Sequence, residues 1–209
     1  MKHSTFVINL ETRVDRKNHI LNEFKSRPEF KITIFNAIQT EKGSQGLFIS
    51  IKRIIQHAIL HHEKYIIICE DDHVFTNNYD TLKLKKHIKT GLVSDYDLLL
   101  GGPSNIHDTF FIKEDLVWLG GFSGFQFAVI FECFFKKILD YQLPDNKNLD
   151  LQLGKLSDNI YCCYPTISEQ RYFGYSDVTL KNNHINVQDY FIKCRNKLDR
   201  LNKVFHYFK

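Results

Sequence analysis

Long hydrophobic runs are missing from this sequence. No stretch approaches the ~18 apolar residues that a membrane-spanning helix requires. Met1-Lys2-His3 runs straight into Phe6-Val7-Ile8 without the basic, apolar and small-residue zones of a secretion signal, so a cytoplasmic protein is expected. Proline is scarce, at four in 209 residues, and no Gly/Ser/Pro-rich linker, repeat or low-complexity segment divides the chain. The five cysteines (Cys69, Cys133, Cys162, Cys163, Cys194) include no C-x-x-C pair, which removes the usual structural zinc site. An odd, scattered set within apolar strings reads as reduced core thiols. A dominant charge is also lacking. Lys+Arg number 28 and Asp+Glu 24, and the excess is local: residues 189–209 hold six basic and two acidic groups, leaving 22 of each in residues 1–188. A neutral body without a basic, aromatic-interleaved motif argues against nucleic acid as a partner.

What remains is a globular composition, 43% hydrophobic and 14% aromatic, long enough for one substantial core. Residues 5–10 read as a buried strand and 13–25 as a helix with Val14, Ile20, Leu21 and Phe24 on one face. Residues 31–36 alternate as a strand. Residues 44–62 carry the clearest apolar stripe (Leu47, Ile51, Ile54, Ile55, Ala58, Ile59), with Ser44 as its expected N-cap. Continuous apolar strings at 65–69 and 97–100 suit doubly covered strands. A strand-rich piece at 122–131, helices at 132–141 and 149–156, and a strand at 160–164 complete the pattern. Alternating strands and helices predict an α/β fold, a Rossmann-type α/β/α sandwich with a mixed, mostly parallel sheet. The expected division is one domain over residues 1–188 and a basic amphipathic C-terminal helix over 189–209.

The most informative string is Tyr65-Ile-Ile-Ile-Cys-Glu70-Asp71-Asp72, where a buried strand ends in three carboxylates. Ligands of open α/β sheets bind beyond the carboxyl ends of the strands. Adjacent carboxylates repel one another unless a cation neutralises them, and Mg²⁺ or Mn²⁺ takes oxygen ligands while keeping positions for phosphate oxygens. A metal–diphosphate site is one reading; a solvated acidic turn is the other. His73 beside it is expected to be a solvated loop residue. At the N-terminus a strand delivers Asn9 to its tip, and Arg13, Asp15 and Arg16 open the next helix. Helix-opening amides and arginines suit phosphate or ribose, although a capping and salt-bridge cluster accounts for the same residues.

Together these segments resemble glycosyltransferase family 25, which includes lipooligosaccharide and procollagen galactosyltransferases. Ile8-Asn9-Leu10-Glu11-Thr12-Arg13-Val14-Asp15-Arg16 is similar to the family's opening I-N-L-(D/E)-x-R-x-D-R. Gly46 and Ser50 keep two positions of its G-C-x-x-S-H, with Ile51 where the histidine stands. Glu70-Asp71-Asp72 matches E-D-D, and Asp97 to Gly101 resembles D-L-L-x-L-G. Gly124 to Val129, Leu149-Asp150-Leu151-Gln152-Leu153, Pro165 to Gln170 and Ser176-Asp177 continue the order. The resemblance spans roughly residues 6–178. It implies a GT-A-like fold and an inverting transfer of a sugar, such as galactose, from a UDP-sugar to a glycan, lipooligosaccharide or protein-linked acceptor. It also implies a Mn²⁺ or Mg²⁺ cofactor held by Asp72 and Asp71, with His184 as a late imidazole ligand. Asn9, Arg13, Arg16, Gly46, Ser50, Asp71 and Gln170 would then bind the donor. Inversion needs a general base on the acceptor hydroxyl; Asp150 is the first candidate and Asp177 the second. Glu70 is expected to support its neighbours.

Ile51 also admits a different class, a non-catalytic module that binds nucleotide sugars or glycans. A metal phosphoesterase would call for further His or Asp ligands that the sequence does not supply. Trp118 and Phe122 beside Gly120-Gly121 could form a sugar-stacking platform in a loop, or simply core and turn. Residues 105–114 and 145–148 are expected acceptor loops. In the tail, Phe191, Cys194, Leu198, Leu201, Phe205 and Phe208 recur every three to four residues. That seam could dock on the core or pair with a second copy, while the basic faces suit an anionic membrane.

Overall fold

The computed structural model describes residues 2–145, 147–174 and 187–209. Its centre is an eight-stranded sheet in the order β2-β1-β3-β8-β5-β9-β7-β6. The strands are β1 (His3–Asn9), β2 (Phe30–Asn36), β3 (Tyr65–Glu70), β5 (Leu98–Leu100), β6 (Asn105–Lys113), β7 (Leu116–Ser123), β8 (Phe127–Phe131) and β9 (Ile160–Cys163). β1 pairs in parallel with β2 and β3, and β5 with β9, whereas β8 and β7 run against their neighbours. Six of the eight strands therefore share one direction, the mixed, mostly parallel sheet expected. β4 (His73–Phe75) and β10 (Ser168–Gln170) form a separate antiparallel pair beyond the end of β3.

Both faces of the sheet are covered because the central strands are apolar on both. Ile66 and Ile68 of β3 join one core and Ile67 and Cys69 the other. The first core receives α2 (Gly43–Leu60), α4 (Glu132–Asp140), α5 (Leu149–Gly154) and α6 (Val187–Tyr207); the second receives α1 (Val14–Phe24) and α3 (Thr81–Val93). Fully burying each such aliphatic side chain contributes about 1.5–3 kcal/mol, so β3 is a firmly held strand and a stable base for the acidic turn at its end.

Several local expectations change. The long helix begins at Gly43, after Lys42, and no side chain caps it, so Ser44 is not its N-cap. Val14 and Leu21 face solvent, leaving Ile20 and Phe24 to bury α1. The piece at 122–131 is two strands broken at Gly124, whose φ of +98° suits glycine and whose added Cβ would lie 2.6 Å from the Ser104 nitrogen. Residues 105–114 are not a free loop; most of them form β6, paired with β7 along its length. Trp118 and Phe122 therefore lie in strand β7. Phe122 is fully buried and so unavailable to a sugar, while Trp118 stacks on Phe110 at 4.8 Å and donates to the Asp158 carbonyl. Four cysteines are buried, Cys133 is exposed, and all five are free thiols.

The tail seam docks up to Phe205, whereas Phe208 faces solvent. Phe191, Cys194 and Leu198 are buried, Leu201 and Phe205 pack beside them, and Phe205 stacks on Phe111. Arg195 pairs with Glu169 of β10, and Lys197 donates to the Ile106 carbonyl at 2.9 Å.

Gly46 lets α2 close against the chain leaving β2: a Cβ there would sit 2.2 Å from the Ile38 carbonyl oxygen. Gly46→Ala should cost about 1–3 kcal/mol as overpacking, read as a lowered melting temperature; an unchanged melt would contradict this close approach.

Candidate functional site

β1 and β3 are parallel neighbours, so their carboxyl ends emerge together, with Ile8 level with Glu70. Asn9 closes β1 and the Glu70-Asp71-Asp72 string closes β3. The Asn9 side-chain amide donates to Asp71 Oδ2 at 2.8 Å and to the Arg13 carbonyl at 3.2 Å. Arg16, near the start of α1, donates from Nη1 to Asp71 Oδ1 at 3.1 Å and to Asp72 Oδ2 at 3.4 Å. These side chains are only 9–15% exposed. The structure thus brings together Asn9, Arg13, Arg16, Asp71 and Asp72 from segments some sixty residues apart, and the segment after β9 brings in Gln170.

Both oxygens of Asp71 are engaged. Its geometry is that of a strut between β1 and the first turns of α1. Asp72 Oδ1 is buried and has no hydrogen-bond partner among the described residues. Burial and the adjacent Asp71 charge push Asp72 up to about 7, against the easing effect of Arg16 and Gln170. Burial, with Asp72, Asp150 and Asp71 around it, holds Glu70 well above the ordinary carboxylate range. Asp150, in the first turn of α5, accepts from the Gly124 nitrogen at 2.6 Å, and burial raises it to about 6.

Gly46 and Ser50 serve packing. Ser50 is fully buried, accepting from the Ile38 nitrogen at 2.9 Å and donating to the Gly46 carbonyl at 2.8 Å. Ile51 is likewise in the core, so its departure from the family pattern is here a change of packing. His73 is not a solvated loop residue. It is fully buried, stacks on Phe127 at 5.0 Å, contacts Ser168 Oγ at 2.8 Å from Nδ1, and is kept neutral by burial. His184, Ser176 and Asp177 lie outside the described residues.

Sequence reasoning missed three neighbours. The Arg171 nitrogen donates to the Asp72 carbonyl at 2.7 Å, while the Phe173 ring lies 4.9 Å from the Arg16 guanidinium and 5.1 Å from that of Arg171. His19 bridges from α1, in contact with both Arg171 and the His73 carbonyl. Arg171 directly succeeds Gln170, the one signal that could have drawn attention to it.

Among the described residues no three carboxylate, imidazole or thiol groups converge as a ready-made metal cage. A hard cation does not need one: Mg²⁺ is commonly held by one or two carboxylates, with waters and phosphate oxygens completing its sphere. The buried, unpartnered Asp72 Oδ1 fits that requirement.

The acidic cluster thus stands at the carboxyl ends of the strands of an α/β sheet, the end at which such sheets bind their ligands. Residues 2–63, which include β1, Asn9, Arg13, Arg16, Gly46 and Ser50, match the sequence model of Glycosyltransferase family 25 (LPS biosynthesis protein), and this match supports a glycosyltransferase-like role. No curated protein sequence matches the chain. Among solved structures, A197 from STIV shares the fold, with a TM-score of 0.52 at 12% identity over 82% of this chain and 86% of that one. UDP-glucose pyrophosphorylase complexed with UDP-glucose gives 0.48 at 8% identity, covering 96% and 99%. A Drosophila β-1,4-galactosyltransferase 7 mutant in complex with manganese, UDP-Gal and xylobiose gives 0.46 at 10%, covering 90% and 79%.

Because the folded protein holds the Asp72 proton more tightly than an unfolded chain would, this group's stabilising contribution is complete below about 4 and disappears as pH rises through about 7. Asp72→Asn should therefore melt a few degrees above the unmodified protein at pH 8, with the gap closing toward pH 5. A gap of constant size across that range would show that Asp72 is not burdened by its charge.

Proposed function

We propose that the protein is an inverting glycosyltransferase that uses a UDP-sugar and a divalent cation. The observation that carries the reading is the buried, unpartnered Asp72 Oδ1 at the strand end where Asn9, Arg16 and Asp71 also meet. The family resemblance supplies the donor class. A Mn²⁺ or Mg²⁺ ion at Asp72, when bound, would neutralise charge on the departing diphosphate. The chain's own residues do the rest. Asp71, held by Asn9 and Arg16, fixes the turn that presents Asp72. Asp150, raised to about 6, is ionised at neutral pH yet basic enough to take the acceptor hydroxyl's proton as the new glycosidic bond forms. The β7–β8 turn holds it in place through the Gly124 nitrogen.

The acceptor we favour is a lipid-linked glycan, reached from the cytoplasmic face of a membrane. With its seam docked, α6 turns Lys193, Arg200 and Lys203 outward, and none of the three forms an ion pair among the described residues. Ile192, Val204 and Tyr207 share the exposed surface, and Phe208 beyond them is 80% exposed. A basic face interleaved with apolar side chains suits an anionic interface. No helix among the described residues is long and apolar enough to cross a membrane.

Three measurements test this reading. UDP with Mn²⁺ should raise the melting temperature, and Asp72→Ala should abolish the rise; no shift with any nucleoside diphosphate would sink the proposal. Asp150→Asn should lower kcat by about 10²–10⁴-fold with little change in donor affinity, and the parent's kcat/KM should climb as pH rises through about 6. Reversing the α6 charges together (Lys193→Glu, Arg200→Glu, Lys203→Glu) should release the protein from phosphatidylglycerol-containing vesicles in a flotation assay; equal binding by parent and variant would remove the membrane contact.

A further inference from the structure

Arg16 and Arg171 flank the same ring, Phe173, yet their charges are handled differently. Arg16 is neutralised by Asp71 and Asp72. Arg171 is exposed and makes no ion pair among the described residues, although it stands beside the acidic turn, with its backbone nitrogen on the Asp72 carbonyl. Two contacts orient its side chain. The guanidinium lies over Phe173, and Nη1 sits 3.3 Å from His19 Nδ1. His19 is itself fixed from the other side: Nε2 lies 3.0 Å from the His73 carbonyl oxygen. A carbonyl only accepts, so Nε2 carries the ring proton, and Nδ1 is left with a lone pair that accepts from Arg171. The imidazole also meets Phe173 edge-on at 5.3 Å.

A guanidinium has five N–H donors in a planar fork. Here the plane is set by an aromatic ring and a histidine, one side-chain donor is engaged by that histidine, and no carboxylate among the described residues compensates the charge. So oriented, the exposed fork still has N–H donors to offer an anion with several oxygens. Asp72 and Arg171 are also complementary in chemistry: a cation held by the buried Asp72 oxygen and the Arg171 fork would each attract diphosphate oxygens.

We infer that Arg171, held by Phe173 and by the Nε2-protonated tautomer of His19, binds the diphosphate of the donor, with His19 as its positioning residue. The inference rests on the nucleoside-diphosphate reading above, but it concerns the phosphate groups alone and can fail separately.

The test is calorimetric titration of the whole chain with UDP and with inorganic pyrophosphate, each with Mg²⁺. Arg171→Ala should weaken both ligands about 10-fold or more, as expected for losing charge-assisted bonds. Arg171→Lys, which keeps the charge but loses the fork, should fall between. His19→Leu, which removes the acceptor that orients Arg171, should weaken both by several-fold and raise KM for the donor with kcat little changed. Lys89→Ala, a solvated cation on α3, should match the parent. Should Arg171→Ala fail to fold, Arg171→Lys carries the test. Unaltered UDP and pyrophosphate affinity in a folded Arg171 variant overturns the inference and leaves the glycosyltransferase reading standing. Pyrophosphate binding that depends on Arg171, with no added affinity for UDP, supports the anion site and counts against the nucleotide. A parent protein that binds neither overturns both.

Discussion

The contact on which this site depends is the buried ion pair between Arg16 and Asp71. It ties three pieces of chain that the sheet alone does not fix: the end of β1 through Asn9, the first turns of α1 through Arg16, and the turn after β3 through Asp71. Removing one partner of such a buried pair typically costs about 3–5 kcal/mol, because the other charge is stranded. Replacing the pair with apolar residues could be neutral for stability. Its value is therefore specific geometry. A hydrophobic plug would hold the same elements together without fixing where Asp72 stands.

That tie also explains why the acidic string is not three equivalent carboxylates. Asp71 is satisfied by an arginine and an amide. Asp72 shares the arginine at the longer distance of 3.4 Å and keeps one buried oxygen unpartnered. Glu70 ends the strand proper, paired into the sheet, and is pushed well above the ordinary range by burial and its neighbours. Arg16 is shared between Asp71 and Asp72, so ionising Asp72 adds negative charge in a place from which water is largely removed. Such a charge is costly by itself, and the proposed cation and diphosphate would offset it, because the same burial that penalises it also strengthens its interactions.

Much of the fold was legible in the sequence where burial is two-sided or a motif is contiguous. The apolar run before Glu70 announces a central strand because both of its faces must be covered, and Asn9, Arg13 and Arg16 stand near that strand's end because β1 is its parallel neighbour. What could not be read depends on tertiary contacts. Phe122 looks like a loop aromatic beside two glycines until β6 pairs with β7 and buries it. Gly46 and Ser50 carry family-motif identities, yet their spacing also suits a helix start packed so closely that a Cβ added at Gly46 would lie 2.2 Å from the Ile38 carbonyl oxygen. His73 sits next to three carboxylates in the chain, but strand alternation turns it inward to Phe127, so adjacency in sequence misplaces it among solvated residues. Arg171 and His19 are 152 positions apart, and only the pairing of β10 with β4 brings them together.

The β4–β10 pair connects the acidic turn to the C-terminal helix. β10 lays Gln170 and Arg171 against the turn after β3, and Glu169 takes Arg195 from α6. The helix with the unpaired basic face thus braces the same short strand that completes the acidic turn. A surface that settled on an anionic bilayer through Lys193, Arg200 and Lys203 would load α6, and α6 is joined to β10 by an ion pair, one residue from the Asp72 neighbour Gln170. The chain's modest positive charge, confined to its last 21 positions, is then related to the site through structure, although the two are far apart in sequence. A cationic helix face attracts an anionic surface, and the strand it braces helps to present the carboxylate that would meet an anionic donor through a metal.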